Sequence, residues 1–423
     1  MPLAPGQPLR WLGGQIDLQV RVATGLDPAL SAIWDVALWD VSPWGAEDLA
    51  YQDISEWVEE VAYTRGAEAW DTRYTAGTGT VVLDNSNGQF TPVSDAPDPW
   101  GVPFRSGRKV QISALPNPDD PELRVHLFTG RIDERTDQYD DSGFALTTVL
   151  NLIDTLGELG QSNPPMLTTP TGVQTTDERI HAVLDIAQID EDERDIQTGV
   201  HTMQASYLAQ TALEESQRAA DSEGGAFFAA PDGKLTFKRR DWLSTDPRST
   251  EVQGYLGFET LPPEAGPDAP QAFIISGSVV ISETLARVRN DIQFSREGGT
   301  MQWVFDPVSI GSVGIRSYKR TDYQNNTDAQ VLFLAERNLE AQSEARFRVQ
   351  SVAIQANADP DNEDLNRLFY DTQFGDLVAV EIQTMHGWRI PDRLTHVIGI
   401  AAHITVEDWT VVLTLDDSLI GVS

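Results

Sequence analysis

Over most of its length the chain alternates apolar and polar residues, the period-2 signature of half-buried strands. Residues 15–22, 33–41, 58–63, 77–83 and 346–354 all read this way. One alternating pattern occurs twice. Its first copy runs through 107–112, 127–132 and 144–149, its second through 375–380, 396–401 and 409–414. Each copy opens on a glycine, Gly107 or Gly375. Each breaks its second strand with another, Gly130 or Gly399, which follows 23 or 24 residues later. Internal repetition of this kind implies one β unit used twice. A duplicated unit suits a chain that tiles a ring better than one that builds a single catalytic pocket.

Helical spacing is confined to three windows. Residues 176–187 put Ile180, Val183, Leu184 and Ile186 on one side, and Thr175 and Glu178 stand three apart as a capping box requires. A second helix is predicted over 205–222, with Leu208, Leu213 and Ala219 inward and a stop at Gly224-Gly225. A third, over 327–343, would bury Val331, Leu332, Ala335 and Leu339. Pro231-Asp232-Gly233 marks a hairpin turn, and 261–270 is a Pro/Gly-rich linker. The predicted fold is mainly β with an α+β middle domain and two similar antiparallel β-barrels. Its parts are a Trp-rich β arm at 1–45, a first barrel at 46–160, the middle domain and linker at 161–270, and a second barrel with one inserted helix at 271–423.

Composition narrows the function. The chain has 423 residues, enough for about three domains. It has no cysteine, which removes disulfides, thiolate metal sites and a cysteine nucleophile. Six histidines are scattered; His396 and His403, seven apart on a predicted strand, would face opposite ways, and no metal site is expected. No apolar run is long enough to span a bilayer, and the first residues lack the features of a signal peptide. The chain is therefore expected to remain soluble or to assemble into a larger particle. Acidic residues number 65 against 30 basic ones, a formal net charge of −35, so specific nucleic-acid binding is not expected. The local cluster Lys234, Lys238, Arg239 and Arg240 reads as a solvated hairpin face.

Catalytic patterns are missing. Gly77-Thr78-Gly79 lacks the third glycine of a dinucleotide fingerprint, and residues 359–363 lack the glycine and bidentate glutamate of a calcium loop. There is no phosphate loop, nucleophile elbow or zinc-binding helix. The expectation is a non-enzyme without a cofactor. Seven of the eleven tryptophans fall in the first hundred residues, and Trp34, Trp39, Trp44 and Trp100 are candidates for partner contact. Trp34 and Trp39 would lie on opposite strand faces and cannot both point inward.

Several segments resemble a known family. Residues 34–40, 76–92, 105–110 and 127–132 resemble the minor tail proteins of actinobacterial siphophages, and more broadly the baseplate hub proteins of long-tailed phages. Residues 219–228 and 231–237 are similar to that family's middle domain. The resemblance implies a homotrimer whose two barrels per subunit form a pseudo-sixfold ring. That ring would join the hexameric tail tube and distal tail protein to threefold tip proteins, with DNA passing through its lumen. Partners implied are the distal tail protein, the tail tube or tape measure protein, and other tip or fibre proteins. The implied location is the tail tip of the virion, after synthesis in the host cytoplasm. Many relatives carry a C-terminal enzymatic or receptor-binding extension; this chain ends at Ser423, after the second repeat, so no wall-degrading activity is expected. Two rival readings are a carbohydrate-binding tail protein that uses the N-terminal tryptophans, and a hydrolase with an acidic pair in the middle domain.

Overall fold

A computed structural model describes residues 17–26, 49–69, 72–91, 106–116, 123–141, 143, 145–162, 171–257, 271–273, 278–356, 362–383 and 389–417. The N-terminal part contains β1 (Asp17–Leu26), β2 (Leu49–Asp53), β3 (Val58–Gly66), β4 (Thr75–Asp84), β5 (Lys109–Leu115), β6 (Val125–Tyr139) and β7 (Ala145–Asp154). They lie in the order β3-β4-β7-β6-β5-β1-β2, with every pair antiparallel. Alternation does what the sequence predicts: Val61 and Tyr63, Val81 and Leu83, Val110 and Ile112, and Leu150 and Leu152 all enter one core. Asp154 closes β7 and caps α1 (Thr155–Gln161). Its carboxylate accepts from the N–H of Gly157 at 2.9 Å and of Gly77 at 2.7 Å, which fastens helix to strand.

The middle region holds β8 (Gln174–Thr175), α2 (Thr176–Ile186), β9 (Arg194–Ile196), β10 (Thr202–Met203), α3 (Ala212–Glu223), β11 (Ala226–Ala229) and β12 (Leu235–Lys238). The capping box at Thr175 and Glu178 starts α2 as expected, and Gly224, at φ +77°, ends α3. The second helix is shorter than the predicted 205–222. Thr211 accepts from the N–H of Glu214 at 3.2 Å and so caps it, while Leu208 is buried in the segment before it. What the sequence conceals is that α3 buries polar groups. Glu223 accepts from the Thr176 hydroxyl at 2.8 Å and from the N–H groups of Val200 at 3.0 Å and His201 at 2.8 Å. Glu215 accepts from the N–H groups of Ala209 at 3.0 Å and Gln210 at 3.1 Å, and Gln217 donates to the Tyr74 carbonyl at 2.9 Å. Carboxylates can sit this deep because each is hydrogen-bonded.

Then come α4 (Trp242–Thr245), α5 (Pro247–Thr250), β13 (Val252–Gly257), β14 (Gln271–Phe273) and β15 (Val280–Ser282). Here the chain leaves the main sheet. β16 (Asp291–Arg296), β17 (Gln302–Phe305), α6 (Pro307–Val313), β18 (Ser317–Tyr323) and α7 (Asp328–Gln342) follow. The order β17-β16-β18 makes a separate sheet, covered by α7 over a core of Ile292, Phe294, Tyr323, Val331, Leu334 and Ala335. The strands expected near 288–294 and 302–305 thus form, but in an inserted module larger than one helix. Leu334 takes the buried place expected of Leu332 on α7.

The chain returns through β19 (Arg348–Gln355), α8 (Glu363–Asp371), β20 (Leu377–Gln383), β21 (Arg389–Thr405) and β22 (Trp409–Asp416). These strands, with β15, run β15-β19-β22-β21-β20. That is the order β3-β4-β7-β6-β5 over again. Both units, with β1, β2, β13 and β14, belong to one 14-stranded sheet. Among the described residues neither unit closes into a barrel by strand pairing, so the two expected barrels are two like halves of a continuous sheet. The linker at 261–270, the strand at 33–41 and most of the 359–363 loop lie outside the described residues.

Glu223→Ala leaves the buried His201 N–H without its acceptor, removes that of the partly buried Val200 N–H, and leaves the Thr176 hydroxyl only the His201 carbonyl at 3.4 Å, at about 1–3 kcal/mol for each unmet group before relaxation. A loss of about 2–4 kcal/mol is expected from urea unfolding, whereas Glu336→Ala on the exposed side of α7 should stay within about 0.5 kcal/mol.

Candidate assembly surface

The two units share their corner as well as their strand order. Gly107 and Gly375 hold φ of +87° and +85°, a left-handed conformation that favours glycine. Gly107 N–H donates to the Ile132 carbonyl at 2.7 Å, and Ile132 N–H returns to Arg108 at 2.9 Å. Gly375 N–H donates to Val397 at 2.7 Å, and Val397 N–H returns to Asp376 at 3.0 Å. One backbone device is therefore used twice, and Ile132 corresponds to Val397.

The other two glycines are not equivalents, contrary to expectation. Gly130 faces Val110, and the matching place in the second unit is Thr395 facing Val378. Gly399 follows a register shift in β21, and its counterpart after the same shift in β6 is Glu134. The hairpin loops differ in length, so counting from the corner glycine misaligns the second strand. Each glycine has its own reason to lack a side chain. A Cβ on Gly130 would lie 2.5 Å from the Ile153 carbonyl oxygen; one on Gly66 would lie 2.3 Å from the Cα of Gly399.

That last contact is where the units join. β3 runs antiparallel to β21 over residues 60–66 and 399–405. On its other side the same stretch of β21 pairs with β22. Ala67 N–H adds a bond to the Ile398 carbonyl at 2.9 Å, and His403 Nε2 lies 3.0 Å from Glu60 Oε1 across the seam. Arg287 pairs with Asp416 at 3.4 Å and donates to the Glu68 carbonyl at 3.1 Å. Arg65 is buried with its guanidinium 4.7 Å from the Phe374 ring centre, and burial lowers its pKa. Burial likewise pushes Asp154 up to about 6, against the backbone N–H groups that favour its charged form. At the second corner burial raises the pKa of Asp376, opposed by the Arg248 guanidinium at 2.7 Å.

Among the described residues the corresponding edges elsewhere are open. There, residues 134–139 of β6, the counterpart of 399–404, pair with β7 alone. β15, the counterpart of β3, pairs among them with β19 alone. Each unit thus has two joinable edges, and among the described residues only one of each kind is used.

The tryptophans proposed for partner contact, Trp34, Trp39, Trp44 and Trp100, lie outside the described residues. Trp57 packs edge-on against Phe90 with centroids 5.6 Å apart. An exposed aromatic pair lies instead on β17, where Trp303 and Phe305 are 63% and 49% exposed and Trp303 Nε1 donates to Asp291 at 2.6 Å. Their i, i+2 spacing in Gln302-Trp-Val-Phe305 was the available signal. His396 and His403 do not face opposite ways: the register shift between Val397 and Gly399 pairs them with Asp416 and Thr410, six apart on β22, and so sets both on one side of the sheet, the first buried and the second exposed. Among the described residues no group of three or more acids and histidines is placed to hold a metal. In the middle region Asp221 is shared by Arg73 at 2.9 Å and Arg320 at 2.5 Å, an ion-pair cluster that ties α3 to β18.

The corner glycines differ in surroundings, which separates strain from crowding. A Cβ on Gly107 would meet nothing within 4 Å, whereas one on Gly375 would lie 2.1 Å from the Trp242 ring. Gly107→Ala is expected to cost about 1–2 kcal/mol from the left-handed backbone alone. Gly375→Ala should cost several kcal/mol more, or prevent folding. Paired denaturant titrations read the difference.

No protein-family model matches the chain, and no curated protein matches it. Solved structures do match. The chain is similar to the tail protein from Neisseria meningitidis MC58, with a TM-score of 0.58 and 13% identity over 96% of this chain and 97% of that one. It is also similar to the 43 kDa tail protein of prophage MuSo2 from Shewanella oneidensis, with a TM-score of 0.55 and 14% identity over 87% and 96% of the two chains. Its fold, over nearly its full length, is that of these tail proteins.

Proposed function

We propose that this chain is a structural, non-catalytic baseplate hub at the tail tip of a siphophage. Three copies form a pseudo-sixfold ring that joins the hexameric tail tube and distal tail protein to threefold tip proteins. The observation that carries this reading is the pair of like β units joined edge to edge in one chain. Two such units per copy give three copies six near-equivalent faces, which is what a part between sixfold and threefold neighbours needs. The tail-protein fold supports the setting. The net charge of −35 suits the wall of a DNA channel, since like charge keeps the cargo from binding. The distal tail protein, the tube or tape measure protein and further tip proteins are its proposed partners.

The test is the native mass of the purified chain together with end-on electron-microscope views. Three times the chain mass and a six-lobed ring with a central hole are expected. A monomer at every concentration, with a single sheet-like outline, would overturn the ring.

A further inference from the structure

The internal seam between β3 and β21 leaves one unused edge of each kind, and we infer that these two edges pair between copies. β15 of one copy lies antiparallel against residues 134–139 of β6 in the next. The inference rests on the proposed ring for the number of copies, but its geometry comes from the chain itself.

The shared strand order fixes the register. At the internal seam Ala62 faces His403, and Thr64 faces Ala401. On β3, Ala62 sits opposite Thr80 and Thr64 opposite Thr78; on β15, Val280 sits opposite Ser351 and Ile281 opposite Val349. Thr80 and Ser351 are themselves equivalent, because they face Asn151 and Thr414 at matching places in β7 and β22. Val280 therefore stands in the place of Ala62; a register shift follows directly on β15, and the correspondence ends there. On the other edge Gln138 and Thr136 stand in the places of His403 and Ala401. Between copies, Val280 should face Gln138.

Both edges carry signs of a missing neighbour. Val280 and Ile281 on β15 are 45% and 37% exposed, and Tyr139 at the end of β6 is 51% exposed. Beside β15, the Ser282 hydroxyl and Arg346 Nε are buried without a hydrogen-bond partner. Antiparallel docking brings Glu134 of the next copy toward this end, where its carboxylate can answer Arg346. An ordinary protected edge would account for the acids on β6, since charge discourages pairing. On β15 the guards are its three-residue length and its register shift, and Val280-Ile281-Ser282 carries neither proline nor charge. The contact uses different surfaces on the two copies, so it repeats head to tail until the rotation closes it. With three copies it supplies the three seams that the internal ones leave open.

The chain contains no cysteine, so engineered pairs report without background. Neighbouring antiparallel residues have Cα atoms about 4.5–5.5 Å apart, within disulfide reach. The double variant Val280→Cys with Gln138→Cys is oxidised in the full-length chain and run on denaturing gels. Ala62→Cys with His403→Cys is the control and should close within one chain. The test pair is expected to give reductant-sensitive dimers and trimers from most of the protein, while each single variant stays monomeric. Uncross-linked chains in a preparation of trimeric native mass would overturn the strand pairing and leave the hub reading standing. A cross-link confined to one chain would overturn it too. Monomeric native mass without cross-links would remove both.

Discussion

Backbone hydrogen bonding between β3 and β21 is the constraint from which the rest of this molecule follows. The strands come from opposite ends of the chain, and their meeting turns two β units into one sheet. It is possible only because Gly66 and Gly399 bring bare backbones into contact. Each such bond contributes only about 1 kcal/mol net, but an unpaired peptide group in a buried seam costs more than that, so the register is held firmly. A slip of one residue would also turn Val61 and Ile404 out of the core. Pairing, more than side-chain packing, sets how the two units sit against each other.

The middle region fixes orientation by a different means. Arg337 donates to the carbonyls of Gly224 and Arg240, both at 2.8 Å, and so gathers the end of α3 and the end of the β12 hairpin onto α7. Burial lowers its pKa to about 10, which still leaves it charged near neutrality. Arg179, fully buried, donates to Gln174 at 2.9 Å, to Ser206 at 2.8 Å and to the Gln204 carbonyl at 2.9 Å. Apolar burial is non-directional and would tolerate several packings; bonds like these accept one. A part that must present fixed edges to its neighbours gains from that rigidity.

Strands were legible in the sequence because alternation is a local property, and the corner glycines because a left-handed backbone has few alternatives to glycine. Gly107 and Gly375 therefore matched at the right positions. Gly130 and Gly399 misled because they answer to different neighbours, Ile153 in one case and the close-packed Gly66 in the other, and neither neighbour is visible along the chain. The inward face of α3 was hidden for the same reason. Nothing along the chain marks Glu215, Gln217 and Glu223 for burial, because the groups they bond are set beside them only by the fold. The inserted sheet of β16, β17 and β18 was misassigned because a strand's period says nothing about which sheet it joins.

The charge of the chain then takes on a structural meaning. Arg65, Arg179, Arg337 and Arg348 are buried, and Arg73, Arg248, Arg287 and Arg320 are held in ion pairs, so much of the scarce positive charge works inside the fold. Among the described residues eight acids are buried as well, a small share of the 65, so acids remain in surplus outside the core. At physiological salt such charges repel only within about 8 Å. Copies of this chain cannot be drawn together by their surface fields, and whatever joins them must act at contact. Strand edges meet that requirement, because N–H and C=O groups pair regardless of net charge. The same acid-rich exterior discourages pairing everywhere except where an edge is bare and in register. Composition and topology thus act together: like charge opposes random association, and the proposed contact between copies would reuse the pairing already built between β3 and β21.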